Sequence, residues 1–282
     1  MNAPMFLRTP PIVTTDLTAK QWDAFVADCA AATPFQTRGW SEAVSAAIGH
    51  HAHVLAARDA GGTVVGLLPL HHVKSPLFGQ ALVGSAFAVD GGVLAEDAAT
   101  ASALADAAMM LAVRLGAGTV ELRGGALPEA AGWHREEGIY AGFVRDLAAD
   151  DNAELLAIPR KQRAEVRKAL DSGLTVTTGT DVAERRDHYD VYATSVRNLG
   201  TPVFPRALFT EVLNRLGPET ADILTVRDGG RPVASVLSLY WRGTVMPYWG
   251  GGLAEARRSR ANELMYFALM RHARERGCAR FD

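Results

Sequence analysis

Asp90-Gly91-Gly92-Val93-Leu94-Ala95-Glu96 opens an Ala/Leu/Met-rich stretch that closes on Arg114-Leu115-Gly116-Ala117 and the strand-like Thr119-Val120-Glu121-Leu122. Gly250-Gly251-Gly252-Leu253-Ala254-Glu255 opens a second stretch, helical from Asn262 to Arg274, that closes on Arg276-Gly277-Cys278 and Arg280-Phe281-Asp282. Gly91 and Gly250 are 159 residues apart, and Gly116 and Gly277 are 161 apart. Upstream, Arg58-Asp59-Ala60-Gly61-Gly62 with Val64-Val65-Gly66-Leu67-Leu68 is echoed by Arg227-Asp228-Gly229-Gly230 with Val233-Ala234-Ser235-Val236-Leu237. A period this long exceeds that of any solenoid unit. It implies a duplicated domain, with a cleft as the natural ligand site.

The length of 282 residues agrees with two domains of ordinary size. Hydrophobic residues make up 48% and charged residues 21%, enough for two cores. The net charge of −2 supplies no global field for nucleic acid or anionic lipid, so a phosphate partner requires a local patch. Cys29 and Cys278 form neither a disulfide framework nor a C-x-x-C metal pair. The opening Met1–Pro11 stretch lacks a secretion-signal core, and no run approaches the ~18 apolar residues of a membrane helix. These features predict a soluble, cytoplasmic protein without integral membrane contact.

Thr18 is placed to cap a helix reaching Ala32, and Trp40, Val44 and Ile48 share a face of a helix over Arg38–Ile48. His53–Arg58 and Thr63–Val73 form a hairpin across Asp59-Ala60-Gly61-Gly62. Ala81–Val89 is a strand, Ala98–Leu115 a buried helix and Thr119–Arg123 a strand. The second half offers helices Asp151–Ala157, from Pro159 to Leu170, Ala183–Leu199 and Arg206–Leu216. Its strands are Leu174–Thr178, Ala221–Arg227, Pro232–Trp241 and Thr244–Trp249, with a last one over Ala279–Asp282. The order predicts an α+β fold: two domains, 1–150 and 151–282, each a mixed, mostly antiparallel sheet flanked by helices.

A strand–hairpin–strand–helix–strand unit occurring twice resembles the N-acyltransferase (GNAT-type) fold in tandem. Three stretches narrow the resemblance: Ile158-Pro159-Arg160-Lys161-Gln162-Arg163 with Val166-Arg167-Lys168, the run from Ser195 to Pro205, and Arg231 to Val236 followed by Tyr248-Trp249-Gly250-Gly251-Gly252. Together they are similar to the FemAB-type proteins associated with exosortase/PEP-CTERM exopolysaccharide systems. Fem-type enzymes transfer an amino acid from aminoacyl-tRNA to an amine on a cell-wall precursor. The resemblance therefore implies an acyltransferase with no tightly bound cofactor. Its donor would be aminoacyl-tRNA in preference to acyl-CoA, and its acceptor a small or a lipid- or sugar-linked molecule. It implies that the first domain is a degenerate, supporting copy. Two departures stand out. No long heptad-patterned arm is present, and the sequence stops at Asp282 where the family usually continues, so further C-terminal strands are expected.

Acyl transfer needs a held donor, a deprotonated amine and donors aimed at the developing oxyanion. Arg160, Lys161, Arg163 and Arg167 form a cationic run in which Arg160, Arg163 and Arg167 share a helix face suited to phosphate. The competing reading is a solvated helix with Lys161–Glu165 pairing. Arg197, Asn198 and Thr201 border a Pro-stiffened loop and are candidates for the acceptor. Tyr248 is the candidate oxyanion donor, with Trp249, Gly250 and Asn262 as binding residues where glycines meet a helix start. Asp282 is the candidate base, with a structural polar role as its alternative.

The helix entry Ala256-Arg257-Arg258-Ser259-Arg260-Ala261-Asn262 lacks the glycines that cradle coenzyme A pyrophosphate in GNAT enzymes, although its arginines could meet phosphates. His50, His51, His53, His71 and His72 suggest strand-end surface histidines rather than a metal site. Two rival functions are an acyl-CoA-dependent enzyme and a non-catalytic binding or assembly protein of an exopolysaccharide system. The acyl group, the acceptor and the oligomeric state are not legible.

Overall fold

The computed structural model describes residues 10–129 and 132–282, so most of the stretch read for a secretion signal lies outside the described residues. The chain divides into two compact units, Met1–Glu136 and Glu137–Asp282.

The first unit runs β1 (Ile12–Thr14), α1 (Ala19–Asp28), α2 (Arg38–Ile48), β2 (His51–Arg58), β3 (Val64–Ser75), β4 (Gly79–Gly84), β5 (Leu94–Ala95), α3 (Ala98–Leu115) and β6 (Thr119–Glu121). Its sheet order is β1-β2-β3-β4-β6, with β5 also on β3, and only β6 is parallel to its neighbour. Helix limits follow local chemistry. Thr18 and Gln21 close a capping box on α1, Thr37 caps α2, and Asp97 caps α3. Gly49 and Gly116 end α2 and α3 in the left-handed conformation that glycine adopts without cost. One face of α3 (Ala101, Leu104, Ala108 and Leu111) closes the core over Leu55, Leu68, Leu70 and Leu82.

The second unit runs β7 (Arg145–Asp146), α4 (Asp151–Ala157), α5 (Arg160–Leu170), β8 (Thr175–Gly179), α6 (Val182–Asn198), α7 (Arg206–Leu216), β9 (Ala221–Asp228), β10 (Arg231–Trp241), β11 (Thr244–Gly252), α8 (Ala254–Ser259), α9 (Ala261–Glu275) and β12 (Arg280–Phe281). Its sheet order is β7-β12-β11-β10-β9-β8. Because β7 pairs with β12, the segment ahead of residue 150 holds a strand of the second sheet, which a division at 150/151 leaves out. Helix α9 packs Leu264, Met265 and Leu269 over Leu224, Val236 and Val245. Helix α6 packs on β9, β10 and β11, and α7 on β9.

The units repeat one plan: β1-α1-α2-β2-β3-β4-α3-β6 matches β8-α6-α7-β9-β10-β11-α9-β12. The glycine echo does not superpose in register, however. Gly66 pairs with Ala95, whereas its sequence counterpart Ser235 pairs with Gly251. The structural partner of Ala95 is thus Gly251, three residues short of the one that the sequence matches. Unlike β11, the first-unit strand is broken. It stops at Gly84, passes through Ser85 (φ 40°) and Phe87 (φ 64°), and resumes as β5. The strand expected over Ala81–Val89 is shortened for that reason.

Among the described residues only α3 is long and apolar enough to cross a membrane, against the expectation that no run comes near. Its buried face is the core of the first unit.

The histidines also depart from expectation. His71 and His72 are buried, and no group of three or more metal-ligating side chains exists among the described residues. The Ala86 N–H donates to His71 Nδ1 at 3.1 Å, which leaves the Nε2 proton for the Ser41 carbonyl at 3.1 Å. Burial pushes His71 down to about 4 and His188, on α6, down to about 3; burial also lowers His50 and His53. His71 and His188 stay neutral when folded down to these values but take up protons when unfolded below the ordinary value of 6.5. Stability is therefore complete above about pH 6.5 and falls as pH drops toward 4, by roughly 1.4 kcal/mol per unit for each such histidine. Chemical denaturation at pH 7.5 and 5.5 should show this loss together with proton uptake on unfolding. Equal stability at the two values would refute neutral burial.

Candidate functional site

The ladder between β10 and β11 carries one irregularity. Leu237 faces Trp249 and the next residue, Ser238, faces Pro247, so Tyr248 is an extra residue without a partner on β10. A bulge of this kind re-aims a side chain, and Pro247, lacking an N–H, is suited to it. Beyond the bulge the ladder resumes: Val236, Ser235 and Ala234 face Gly250, Gly251 and Gly252. The glycines therefore continue the strand past Trp249, where the sequence reading ended it. Close packing is their reason. A Cβ on Gly251 would lie 2.5 Å from the Ser195 Cβ, and one on Gly252 would lie 2.3 Å from Asn262 Oδ1. The end of α6 and the start of α9 thus both close on the end of β11.

Along its other edge, β11 pairs with β12 only at Thr244 and Val245. Among the described residues, the stretch from Met246 to Gly252 has no strand neighbour on that side. Tyr248 is half-buried beside this open edge, its ring 4.9 Å from that of Trp249. Trp249 is buried, 4.8 Å from Phe209 and 6.2 Å from Phe204. Tyr189 Oη donates to the Phe204 carbonyl at 3.0 Å, and Arg206 lies over the Tyr189 ring, so the Pro-bearing loop is anchored on α6. At the loop's start the Thr201 N–H returns to the Val196 carbonyl, and Gly200 takes a φ of 76°. Arg197, Asn198 and Thr201 are exposed at this corner. Sequence reasoning missed Tyr192 and Ser195, although with His188 they fall at i, i+4 and i+7 on the packed face of α6.

The basic helix forms with the expected limits, but its cations divide. Arg160, Lys161 and Arg167 are exposed and make no ion pair or hydrogen bond among the described residues. Arg163 instead turns back to the carbonyls of Leu156, at 3.0 Å, and Ile158, at 3.2 Å, completing the end of α4. It does not share the free phosphate-facing role assigned to it. Glu165 pairs with Lys168 at 2.8 Å and with Arg260, not with Lys161, and these cations hold its carboxyl below the usual range. The Glu165–Arg260 contact ties α5 to the junction of α8 and α9, where Arg260 has a φ of 59°. Arg257 and Arg258 on α8 are exposed and unpaired among the described residues, and no side chain caps α9. Asp282 is exposed, and its N–H donates to the Val245 carbonyl at 3.0 Å. That places it about two residues before the level of Tyr248 on β11.

Two copies of a mixed sheet, each with a helix crossing from the β4 or β11 side to a parallel neighbour (β6 or β12), have the order of a tandem GNAT-like fold. Residues 159–282 match the family model described as Acetyltransferase (GNAT) domain. The fold is similar to that in the crystal structure of FemX, at a TM-score of 0.69 and 15% identity over 96% of this chain and 88% of that one. A tandem GNAT protein from the clavulanic acid biosynthesis pathway matches at 0.54 and 16%, over 94% and 85%. L-PGS from Bacillus licheniformis matches at 0.50 and 12%, over 93% and 74%. No curated protein matches the chain.

Proposed function

We propose that the chain is a Fem-like N-acyltransferase that moves an aminoacyl or acyl group onto an amine of a cell-envelope or exopolysaccharide precursor. The observation that carries this reading is Tyr248, the residue that the β10–β11 ladder leaves without a partner and whose side chain the bulge re-aims. The acceptor nitrogen attacks the donor carbonyl carbon, and Tyr248 donates to the resulting oxyanion. Collapse breaks the bond to the leaving oxygen or sulfur, and the ammonium proton passes to Asp282 or to water. Arg160, Lys161, Arg167, Arg257 and Arg258 are free to meet donor phosphates. Arg197, Asn198 and Thr201, on the anchored loop, face the acceptor. The second unit is the transferring domain, and the first supports it.

The donor has two readings. The Fem likeness favours aminoacyl-tRNA, and the acetyltransferase family match favours acyl-CoA. The missing glycines at the α8–α9 entry weigh toward the first. The test is transfer of label from an aminoacyl-tRNA pool and, separately, from acetyl-CoA to a panel of amines, with calorimetry on acetyl-CoA. Transfer from tRNA without tight coenzyme A binding is expected. Saturable transfer from acetyl-CoA would replace the donor, and binding of precursors without transfer from either donor would make the chain a non-catalytic assembly protein.

A further inference from the structure

The β3–β4 hairpin of the first unit ends in Ser75-Pro76-Leu77-Phe78-Gly79. Leu77 is 86% and Phe78 90% exposed, the most exposed pair of adjacent large apolar side chains among the described residues of that unit. The tip is built, not slack. Ser75 Oγ accepts from the N–H of Leu77 at 3.3 Å and of Phe78 at 3.2 Å, Pro76 fixes its own φ, and Gly79 turns the chain at a φ of 79°. Both side chains are held outward in water, at a cost that the hairpin itself does not recover.

The neighbouring elements extend this surface. The Gly118 N–H donates to the Gln80 carbonyl at 3.0 Å and Thr119 pairs with Ala81, so the C-terminal end of α3 lies at the hairpin end of the sheet. The outer face of α3 there carries Met110 and Val113, exposed at 69% and 79%. The same elements carry two cations, Lys74 on β3 and Arg114 in the last turn of α3, the latter close enough to His53 on β2 to help lower it. Both are exposed and unpaired among the described residues. Of the acids on these elements, Asp106 lies two turns back along α3, and Glu121 sits at the far end of β6, paired with Arg123.

We propose that this end of the first unit is a peripheral docking surface for an anionic phospholipid bilayer. Leu77 and Phe78 enter the boundary of the acyl chains, while Lys74 and Arg114 meet headgroup phosphates. The charge pattern selects the occupant: unpaired cations beside an apolar tip complement an anionic interface. A second copy of the chain fits less well, because four apolar side chains on a projecting tip fall far short of the 20–30 residues per side of a stable interface. The surface is independent of transfer chemistry, since membrane binding can fail while the enzyme works, and the reverse.

The test is flotation of the full chain with vesicles of phosphatidylcholine alone and of phosphatidylcholine mixed with phosphatidylglycerol, at low and high salt. Binding to the mixed vesicles, weakened by salt, is expected. The L77S/F78S variant should partition roughly tenfold less or weaker still, and K74E/R114E should lose the preference for phosphatidylglycerol. Unchanged circular dichroism and melting would show that both variants fold, as such exposure predicts. Wild-type protein that floats with neither vesicle would overturn the proposal, as would L77S/F78S floating like wild type. Sedimentation showing a dimer that L77S/F78S dissociates would likewise overturn it in favour of self-association.

Discussion

Tyr248→Phe is expected to lower kcat for acyl transfer by about 10²–10³-fold, the usual effect of removing one oxyanion donor, while KM and the melting temperature stay close to wild type. The geometry separates the hydroxyl from the ring. The ring lies 4.9 Å from that of Trp249, a contact that phenylalanine keeps. The bulge is a backbone feature fixed by the Leu237–Trp249 and Ser238–Pro247 pairings, which the substitution does not touch. A loss confined to kcat identifies an interaction made only in the transition state. Steady-state kinetics with whichever donor proves active is the measurement. Turnover equal to wild type would remove Tyr248 from the chemistry, and a raised KM at constant kcat would make it a binding residue.

What the sequence revealed, and what it hid, divides by the range of the interactions. Helices α2, α3, α4, α5 and α7 have the limits expected, because Thr37, Asp97, Asp150, Pro159 and Pro205 and the closing Gly49, Gly116 and Gly217 act within a few residues. The duplication was legible because it is written in the order of elements, although the glycine echo is three residues out of structural register. The role of Gly250–Gly252 was not. The sequence reading ends the strand at Trp249, and only the approach of Ser195 and Asn262, from other elements, shows why it continues through glycines. The bulge at Tyr248 depends on register across β10, which no single strand encodes. Arg163 and Glu165 could be placed on their helix, but Arg163 turns to carbonyls at the end of α4 and Glu165 reaches Arg260 at the α8–α9 junction. His71 sits in a strand whose face there is covered by α2 and by the loop after Gly84, so a polar strand end by composition is core by packing.

Glu154→Ala should cost about 3 kcal/mol of stability in the second unit, the low end for breaking a buried ion pair. Glu154 is fully buried on α4, with one oxygen on the Arg145 guanidinium and the other accepting from the Ala148 N–H at 2.9 Å and facing Arg274 at 3.4 Å. One carboxylate thus fastens β7, α4 and α9. Its removal leaves donors facing a cavity, which is the expensive direction of change. The cost stays below the usual maximum because Arg274 retains Asp151 and Arg145 is more than a third exposed. Asp151, itself 38% exposed, is the internal comparison: Asp151→Ala should cost about 1 kcal/mol or less. Urea denaturation should show the Glu154→Ala midpoint falling without a change in slope. Hydrogen exchange should locate the loss, with faster exchange in α4 and α9 and first-unit amides unchanged. Glu154→Ala as stable as Asp151→Ala would mean that the buried carboxylate contributes no more than an exposed one, and that α9 is held by its apolar face alone.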